Sequence, residues 1–598
     1  MCGIVGYTGT RQAVPVLLDG LAKLEYRGYD SAGIAVVRQG RIQVSKCKGR
    51  IMNLRKKLEG EDFSGCFTGI GHTRWATHGE PSDNNSHPHV SGDGRFCVVH
   101  NGIIENERDL RKSLIARGCG FSSETDSEVI AHLLQYNYNG DVVEAISKTI
   151  HLLEGSYALG VVCMDYPETV FAARKDSPII AGKGDGENFL ASDIPAILEY
   201  TREIYIVEDG EILKMDKKGI MFFNAMGIPL EKSVMQVDWD VVSAEKEGHP
   251  HFMLKEIHEE PDAIQKTIRP RIRNGKVVLN DIRLERPDKI SIVACGTAYH
   301  AGVVGKYVIE SLARIPVEVD IASEFRYRDV LTGNNHLTII ISQSGETIDT
   351  LFALRKAKSL GSRILSVVNV VGSSIARESD DVFYTWAGPE IAVASTKAYS
   401  TQLSAIYLIA LSFAEEGVSR KLAAGLLETP DMIRRILERK ETIQKAASLL
   451  FNSPSIFFLG RGLDYALSME ASLKLKEISY IHSEAYAGGE LKHGTIALIE
   501  EGTPVICSMT QDNLFDKTMS NIREVKARGA RVLTLTLDSL RENAGEFSDL
   551  VVTIPDIDRM LAPITAITPM QLFAYYCALA KGCDVDKPRN LAKSVTVE

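Results

Sequence analysis

Cys2, the second residue of the chain, carries the atoms of a nucleophile and of its own base. If Met1 is removed, Cys2 has a thiol and a free α-amine on the same residue. An α-amine titrates at about pH 8, so it can accept the thiol proton near neutrality while the sulfur attacks a carbonyl carbon. The alternative is that Cys2 is only a small apolar residue before a strand over Ile4–Tyr7.

Polar side chains also concentrate in residues 71–81, which contain an arginine, an indole, hydroxyls and imidazoles. His87 and His89 follow this segment. The histidines lack the spacing of a helical ligand pair, and no carboxylate or cysteine completes a ligand set. We therefore predict no metal site here.

The segment Val98–Asn106 predicts a buried strand that ends at Asn101 and Gly102. A side-chain amide beside an unobstructed glycine N–H is the equipment of an oxyanion hole. An ordinary Asn-Gly turn is the alternative interpretation.

A third polar group, Ser342–Thr347, follows a predicted strand over Leu337–Ile341 and precedes a predicted helix over Thr350–Lys358. Hydroxyls and backbone N–H groups at the point where a strand turns into a helix are suited to an anion. The Gly-Lys-Ser/Thr ending of a Walker loop is missing, which favours a monophosphate over a nucleotide. A helix cap made of serines is the alternative.

The elements that must position these groups differ between the two halves of the chain. In the first half, apolar residues at helical spacing predict a helix over about residues 12–25. From about residue 290, apolar strands alternate with helical patterns, and the order recurs: 46 residues separate Gly296 from Ser342, and 48 separate Gly460 from Ser508. The repetition predicts two doubly wound α/β units with parallel sheets.

Composition limits the classes of function. The 598 residues suffice for three to four domains, and the formal net charge of -10 comes without a basic block, so nucleic-acid binding is not suggested. No apolar run could span a bilayer and no signal peptide is evident, which predicts a cytoplasmic protein without a membrane partner. The ten cysteines are scattered singly, which argues against structural zinc and disulfides.

The first 240 or so residues resemble the glutamine amidotransferase domain of the N-terminal nucleophile class. The resemblance is carried by the Cys2 terminus, the residues 71–81 segment, Asn101-Gly102 and residues 124–128, and continues through Ser192-Asp193. It implies a sandwich of antiparallel sheets covered by helices, with Cys2 as the nucleophile on the glutamine amide. It also implies an oxyanion hole and glutamine-binding residues, which are Asn101 and the Gly102 N–H for the oxyanion, Arg74 for the α-carboxylate, Asp126 for the α-amine, and Thr77 and His78 for the pocket wall.

Both later units resemble the sugar isomerase (SIS) family of phosphosugar-binding domains. The whole chain is similar to the glutamine–fructose-6-phosphate aminotransferase family, most specifically at Ser342–Thr347, Val393–Lys397, Leu473–Tyr480, Gly489–Gly494 and the tail Pro588–Glu598. The expected division is an amidotransferase domain over 1–238, a linker over 239–249, SIS domains over 250–440 and 441–588, and a catalytic tail over 589–598.

This second resemblance implies roles at a sugar site. Lys593 would form a Schiff base with the C2 carbonyl of fructose 6-phosphate, Glu477 would move a proton between C1 and C2, and His493, from a neighbouring subunit, would assist ring opening. The remaining implied contacts are the phosphate ligands Ser342, Gln343, Ser344 and Thr347, the hydroxyl contacts Thr297 and Ser395, and the second lysine, Lys474.

The resemblance further implies products and partners. Glutamine and fructose 6-phosphate would give glutamate and glucosamine 6-phosphate, the first step of hexosamine biosynthesis, in a homodimer that needs no metal, nucleotide or flavin. Ammonia would pass through a channel gated by Trp75. Many relatives carry serine where this chain has Ala298, so somewhat weaker sugar binding is expected.

Two alternative functions lack the sequence features that they would require. An amidotransferase acting on phosphoribosyl pyrophosphate or an aspartyl adenylate would need a diphosphate or nucleotide signature, and none is found. A phosphosugar-binding regulator without catalysis would be expected to have lost Cys2, Glu477 or Lys593, and all three are present.

Overall fold

The computed structural model describes residues 2–25, 28–38, 40–75, 78–237, 246–279 and 282–595. The chain divides into two units, Met1–Ala244 with Ala592–Glu598, and Glu245–Leu591. Most of the predicted linker at 239–249 lies outside the described residues.

In the described part of the first unit, the strands form two antiparallel sheets, one of eight strands and one of seven. The eight-stranded sheet has the order β15-β11-β9-β10-β1-β4-β2-β3, and the seven-stranded sheet has the order β14-β13-β12-β8-β7-β6-β5. The strands are β1 (Gly3–Thr8), β2 (Ser31–Arg38), β3 (Arg41–Lys48), β4 (Thr68–Arg74), β5 (His89–Val90), β6 (Phe96–Ile104), β7 (Gly155–Cys163), β8 (Val170–Lys175), β9 (Ile180–Lys183), β10 (Asn188–Ala191), β11 (Glu203–Ile206), β12 (Ile212–Asp216), β13 (Gly219–Phe223), β14 (Pro229–Leu230) and β15 (Met235–Gln236).

Helices cover the outer faces of these sheets. They are α1 (Ala13–Lys23), α2 (Ile51–Leu58), α3 (Glu107–Ala116), α4 (Glu128–Asn137) and α5 (Val142–Ile150). Helix α1 confirms the prediction from apolar spacing, because its buried positions Val14, Leu17, Leu18 and Leu21 form the face that packs on β1 and β4. One apolar cluster lies between the two sheets, and a separate cluster lies under the helices on each outer face. The predicted sandwich of antiparallel sheets is therefore confirmed.

The predicted end of the strand at Asn101 and Gly102 is wrong. Strand β6 continues to Ile104, and Asn101 and Gly102 pair with Ala158 and Tyr157 of β7. Pairing with β7 along the whole segment stabilises an extended chain that a local Asn-Gly turn would interrupt. The oxyanion-hole candidates therefore lie within a strand.

The second unit contains two parallel sheets of five strands each in its described residues. Their orders, β19-β18-β20-β21-β22 and β24-β23-β25-β26-β27, follow the same pattern, which confirms the predicted duplication and the doubly wound fold. A short hairpin of β16 (Ile272–Arg273) and β17 (Lys276–Val277) precedes them. The sheet strands are β18 (Lys289–Ala294), β19 (Val317–Ile321), β20 (His336–Ser342), β21 (Arg363–Val368), β22 (Asp381–Tyr384), β23 (Ser455–Gly460), β24 (His482–Ala487), β25 (Pro504–Met509), β26 (Arg531–Leu537) and β27 (Leu550–Ile554).

One apolar core joins the two sheets of this unit, because the largest cluster of buried side chains contains residues of both sheets and of the helices between them. The helices are α6 (Phe252–Ile268), α7 (Gly296–Ala313), α8 (Ala322–Phe325), α9 (Ile348–Ser359), α10 (Ser374–Glu378), α11 (Lys397–Phe413), α12 (Glu416–Glu438), α13 (Lys440–Leu450), α14 (Leu463–Ser479), α15 (Phe515–Lys526), α16 (Arg541–Gly545) and α17 (Ala562–Ala580). Among the described residues, no helix is long and apolar enough to cross a membrane. All ten cysteines are free thiols.

Candidate active site

The register of two strands fixes the surroundings of the Cys2 thiol. Strand β1 begins one residue after Cys2 and pairs with β4, so that Gly3 lies opposite Thr73. Trp75, just beyond the end of β4, donates its backbone N–H to Cys2 Sγ at 3.2 Å. Burial raises the pKa of the Cys2 thiol, whereas the Trp75 N–H and the charge of Arg74 lower it. A thiol whose pKa is raised needs a base to become a nucleophile near neutrality.

The amide of Asn101 is oriented toward Cys2. Its Nδ2 donates to the carbonyl oxygen of Cys2 at 3.0 Å, and its Oδ1 lies 3.1 Å from Nε2 of His72. The same Nε2 lies 3.0 Å from the carbonyl oxygen of His100, which can only accept, so Nε2 of His72 carries the proton. This proton also makes Oδ1 of Asn101 the acceptor and leaves its Nδ2 as the donor.

His72 is a residue to which the sequence assigned no role. It is fully buried, and burial lowers its pKa to about 3, so the ring is neutral. Its ring stacks on His87 with 4.1 Å between centroids, and Nδ1 of His87 accepts the backbone N–H of His100. The signal available in the sequence was the position of His72 two residues before Arg74. His72 and His87 are thus held by packing and hydrogen bonds within the domain.

Gly102 occupies a position that only glycine fits. Its φ is 136°, and a Cβ atom there would lie 2.0 Å from the carbonyl oxygen of Ser156. A larger residue at position 102 would therefore displace β7 next to Asn101.

Arg74 and Asp126 are both buried. Nη2 of Arg74 donates to the carbonyl oxygens of His78 and Gly79, the latter at 3.2 Å. Its Nη1 is buried and has no hydrogen-bond partner in the part of the chain that the structure describes. Oδ2 of Asp126 accepts the N–H of Ile104 at 2.8 Å. The half-satisfied guanidinium is the group that could receive a carboxylate.

The remaining predicted residues of the glutamine site are Thr77, His78 and Trp75. The His78 side chain is exposed, and Thr77 lies outside the described residues. The Trp75 indole meets the Tyr29 ring edge to face, with 5.6 Å between centroids.

The Ser342–Thr347 segment has the predicted geometry of a strand that turns into a helix. Ser342 is the last residue of β20, and α9 begins at Ile348. Ser342 Oγ accepts the N–H of Gly345 at 3.1 Å and lies 3.2 Å from Thr347 Oγ1, and Ser344 Oγ accepts the N–H of Glu346 at 3.2 Å. The Gln343 carbonyl accepts the N–H of Asn369 at 3.2 Å. These bonds hold the loop in one shape.

Helix α14 carries a buried charged cluster. Lys474 Nζ lies 2.5 Å from Glu477 Oε2 and 3.4 Å from Glu470 Oε1, and it donates to Thr297 Oγ1 at 3.0 Å. Burial lowers the pKa of Lys474, but the charges of Glu477 and Glu470 outweigh burial, so its pKa is raised overall. Lys474 is therefore a cation that brings Thr297 and Glu477 together.

Glu470 and His300 are further members of this cluster that the sequence did not single out. Glu470 is fully buried, accepts from Thr297 Oγ1 at 3.0 Å and lies 2.7 Å from His300 Nδ1. The available signal was helical spacing, because Glu470 precedes Lys474 by one turn and Glu477 by two.

The structure also describes three other predicted sugar-site residues, Ser395, His493 and Lys593. Ser395 is half-buried in the segment before α11, where the Glu390 carboxylate accepts the N–H groups of Thr396 and Ala398 at 2.9 and 3.0 Å. His493 is exposed at the end of the short 3-10 helix Leu491–His493. Lys593 is half-buried and belongs to the first unit, whereas Glu477 belongs to the second.

In the described ranges, no group of three or more His, Cys, Asp or Glu side chains could hold a metal ion.

Comparisons with known proteins assign a family to each half of the chain. Residues 72–199 match the glutamine amidotransferase domain family, and residues 283–412 and 449–581 each match the SIS domain family. A solved structure, the C-terminal domain of glucosamine-fructose-6-phosphate aminotransferase from Francisella tularensis, aligns with a TM-score of 0.56 and 40% identity, covering 57% of this chain and 99% of that chain.

Full-length relatives extend the similarity to the whole chain. The glutamine–fructose-6-phosphate aminotransferase [isomerizing] of Caldanaerobacter subterraneus subsp. tengcongensis is 59% identical over 610 residues, and both chains are covered completely. The protein of the same name from Aquifex aeolicus is 48% identical over 601 residues, again with complete coverage of both chains. The chain therefore belongs to the glutamine–fructose-6-phosphate aminotransferase (isomerizing) family.

Proposed function

We propose that this chain is an enzyme that transfers the amide nitrogen of glutamine to fructose 6-phosphate and isomerises the product to glucosamine 6-phosphate, releasing glutamate. One observation carries the proposal: a single chain combines a Cys2 thiol beside an oriented amide donor with a duplicated phosphosugar fold that holds a buried lysine–glutamate pair.

In the first half-reaction, Cys2 Sγ attacks the glutamine amide carbon while its α-amine takes the thiol proton. Asn101 Nδ2 and the Gly102 N–H stabilise the oxyanion of the tetrahedral intermediate. Arg74 Nη1, buried without a partner among the described residues, receives the α-carboxylate, and Asp126 receives the α-amine. Thr77 and His78 line the pocket. Ammonia leaves, and water releases glutamate from the thioester.

In the second half-reaction, Ser342, Gln343, Ser344 and Thr347 hold the phosphate of the sugar. His493 assists ring opening, and Lys593 forms an imine with C2, which ammonia then displaces. Glu477 moves a proton from C1 to C2, which converts the ketose skeleton into the aldose. The fixed charge of Lys474 stabilises the negative charge that develops on the sugar, and Thr297 and Ser395 contact its hydroxyls.

Three features complete the proposal. Ammonia passes between the sites without meeting bulk water, because protonation would remove its nucleophilicity, and Trp75 gates this path. The enzyme is a homodimer in which His493 acts on the neighbouring subunit's sugar. The cytoplasmic location and the domain boundaries given above stay predictions.

The test is to incubate purified protein with glutamine, with and without fructose 6-phosphate, and to quantify glutamate and glucosamine 6-phosphate together. We expect matched formation of both products and little glutamate without sugar. Cys2→Ala should form neither product from glutamine, whereas Lys593→Met should form glutamate alone. Glutamate without amino sugar in the unmodified protein would contradict the proposed acceptor.

A further inference from the structure

A buried carboxylate, that of Asp464, lies beyond the carboxyl ends of the strands in the second parallel sheet. Asp464, in the first turn of α14, is only 1% exposed. Its Oδ2 accepts the backbone N–H groups of Thr510 and Gln511 at 2.8 and 3.2 Å, and its Oδ1 accepts the Thr510 hydroxyl at 2.5 Å. Asp464 is not part of the cluster formed by Glu470, Lys474 and Glu477 farther along α14.

Counting from the ends of equivalent strands shows which residue of the first SIS domain corresponds to Asp464. Strands β18 and β23 occupy the same place in the two sheets and end at Ala294 and Gly460. Four residues after these ends stand Ala298 and Asp464. Counted from the strand ends, Asp464 of α14 therefore corresponds to Ala298 of α7, whose side chain is only a methyl group.

The loops that face these positions also correspond. Strand β20 pairs with β18, and strand β25 pairs with β23. The two strands β20 and β25 end at Ser342 and Met509. The next two residues are Gln343 and Ser344 in the first loop, and their counterparts in the second loop are Thr510 and Gln511. The Asp464 carboxylate thus binds the N–H groups whose counterparts belong to the proposed phosphate loop.

We infer that Asp464 is an internal anion that fills the second anion-binding loop and closes the second domain to phosphosugars. The inference rests on the proposed function in one respect, the assignment of the phosphate to the first loop. A phosphate dianion cannot share these donors with a buried carboxylate, because two like charges at hydrogen-bond distance repel strongly at a site with little water. Only the first domain, with Ala298, leaves room for a ligand's phosphate.

The same contacts give Asp464 a use in the fold. Without it, the N–H groups of Thr510 and Gln511 and the Thr510 hydroxyl would be buried donors without an acceptor, which is unfavourable. The carboxylate therefore does for the second loop what a bound phosphate would do for the first. A duplicated domain can in this way lose its ligand and keep its loop structure.

The test uses three variants of the full chain, with binding of fructose 6-phosphate and of inorganic phosphate measured by calorimetry. Asp464→Ala removes the internal anion, Asp464→Asn keeps its size without its charge, and Ala298→Asp places a carboxylate in the first domain. We expect the unmodified chain to bind fructose 6-phosphate at one site, and Asp464→Ala to gain a second site for inorganic phosphate. We expect Ala298→Asp to bind the sugar phosphate at least about tenfold more weakly, with an unchanged rate of Cys2 alkylation.

Binding of phosphate at a new site in Asp464→Ala but more weakly in Asp464→Asn supports the inference. An unchanged number of sites in Asp464→Ala, or unchanged sugar binding in Ala298→Asp, overturns it. If Asp464→Ala does not fold, Ala298→Asp alone decides the question. Absence of fructose 6-phosphate binding in the unmodified chain would instead contradict the proposed function.

Discussion

At the scale of single residues, the orientation of the Asn101 amide decides whether the proposed glutamine site can stabilise an oxyanion. An asparagine side chain presents a donor on one side and an acceptor on the other, so a rotation by half a turn would place Oδ1 against the developing negative charge. His72 prevents this rotation, because its Nε2 proton binds Oδ1 of Asn101. The neutral, fully buried ring cannot reverse its role by gaining a proton near neutrality.

This contact predicts a distinction between two His72 variants. His72→Phe keeps an aromatic ring in the buried position but has no donor, and we expect kcat for glutamine hydrolysis to fall about tenfold to a thousandfold, because one oxyanion donor is lost or misdirected. The KM for glutamine should change little, since Arg74 and Asp126 are untouched. Steady-state kinetics with glutamine measures both constants.

His72→Gln is the matched control, since its amide N–H can replace the imidazole donor and should restore part of kcat. Alkylation of Cys2 by iodoacetamide forms no oxyanion, so its rate should be the same in both variants and in the unmodified protein. A parallel loss of alkylation in His72→Phe would mean that the residue only supports the structure around Cys2.

At the scale of elements, helix α14 carries most of the charged residues of the proposed sugar site. Asp464 fixes its first turn to the loop after β25, and Glu470, Lys474 and Glu477 follow on one face. Because Glu470 is fully buried and contacts Thr297, His300 and Lys474, it holds the lysine between the two SIS domains. Removing the charge of Glu470 would leave the buried Lys474 with less compensation, because Glu477 alone of these two carboxylates would remain beside it.

We therefore predict that Glu470→Gln lowers amino-sugar formation. The expected loss in kcat/KM for fructose 6-phosphate is about tenfold or more, because Lys474 is no longer held beside Thr297. Alkylation of Cys2 should be unchanged. Lys476→Gln, on the exposed side of the same helix, is the control and should leave both measurements unaltered. Equal activity in Glu470→Gln and Lys476→Gln would remove Glu470 from the site.

At the scale of the whole molecule, a buried carboxyl ties three central helices together. Glu260 of α6 accepts hydrogen bonds from Ser400 of α11 and Thr568 of α17, each at 2.8 Å. Burial raises the pKa of Glu260 from 4.5 to about 7. Between these pH values, Glu260 is protonated in the folded chain and ionised in the unfolded chain. The contribution of Glu260 to the free energy of unfolding is therefore fully present below about pH 4.5 and is lost as the pH rises through about 7.

This linkage predicts the pH dependence of a variant. The free energy of unfolding should lose at most about 3 kcal/mol across this range through Glu260, and Glu260→Gln should lack this loss. Relative to the unmodified protein, the thermal midpoint of Glu260→Gln should therefore be higher at about pH 8 than at about pH 5. Glu415→Gln, at an exposed position, is the control. A constant difference between Glu260→Gln and the unmodified protein at both pH values would contradict the assignment.

The proposed homodimer gives a second prediction at this scale. His493 is exposed, and if it serves the sugar of the neighbouring subunit, a chain with His493→Ala and a chain with Lys593→Met should complement each other. In a mixed dimer, one site has both residues, so random mixing should restore about a quarter of the activity per site. Co-expression followed by measurement of glucosamine 6-phosphate tests this. No activity in the mixture would mean that both residues act within one subunit.

Much of this fold could be predicted from the sequence, because it depends on patterns within single segments. Apolar spacing placed α1, and the alternation of strands and helices revealed the two parallel sheets and their duplication. The turn at Ser342–Thr347 could be predicted because an apolar strand pattern precedes it and a helical pattern follows it. The same local reasoning failed at Asn101 and Gly102, where pairing with β7 overrides the turn preference of the dipeptide.

The sequence by itself determined the two families of domain, the order of their elements and the residue types available for chemistry. The tertiary structure decided which of those residues meet. In the folded chain, the Trp75 N–H binds the Cys2 thiol, and His72 is the histidine that binds the Asn101 amide. Thr297 forms hydrogen bonds with Glu470 and Lys474. The tertiary structure also placed the Asp464 carboxylate in the second loop. Such contacts join residues far apart in the chain, so they depend on strand register and burial, which no single segment encodes.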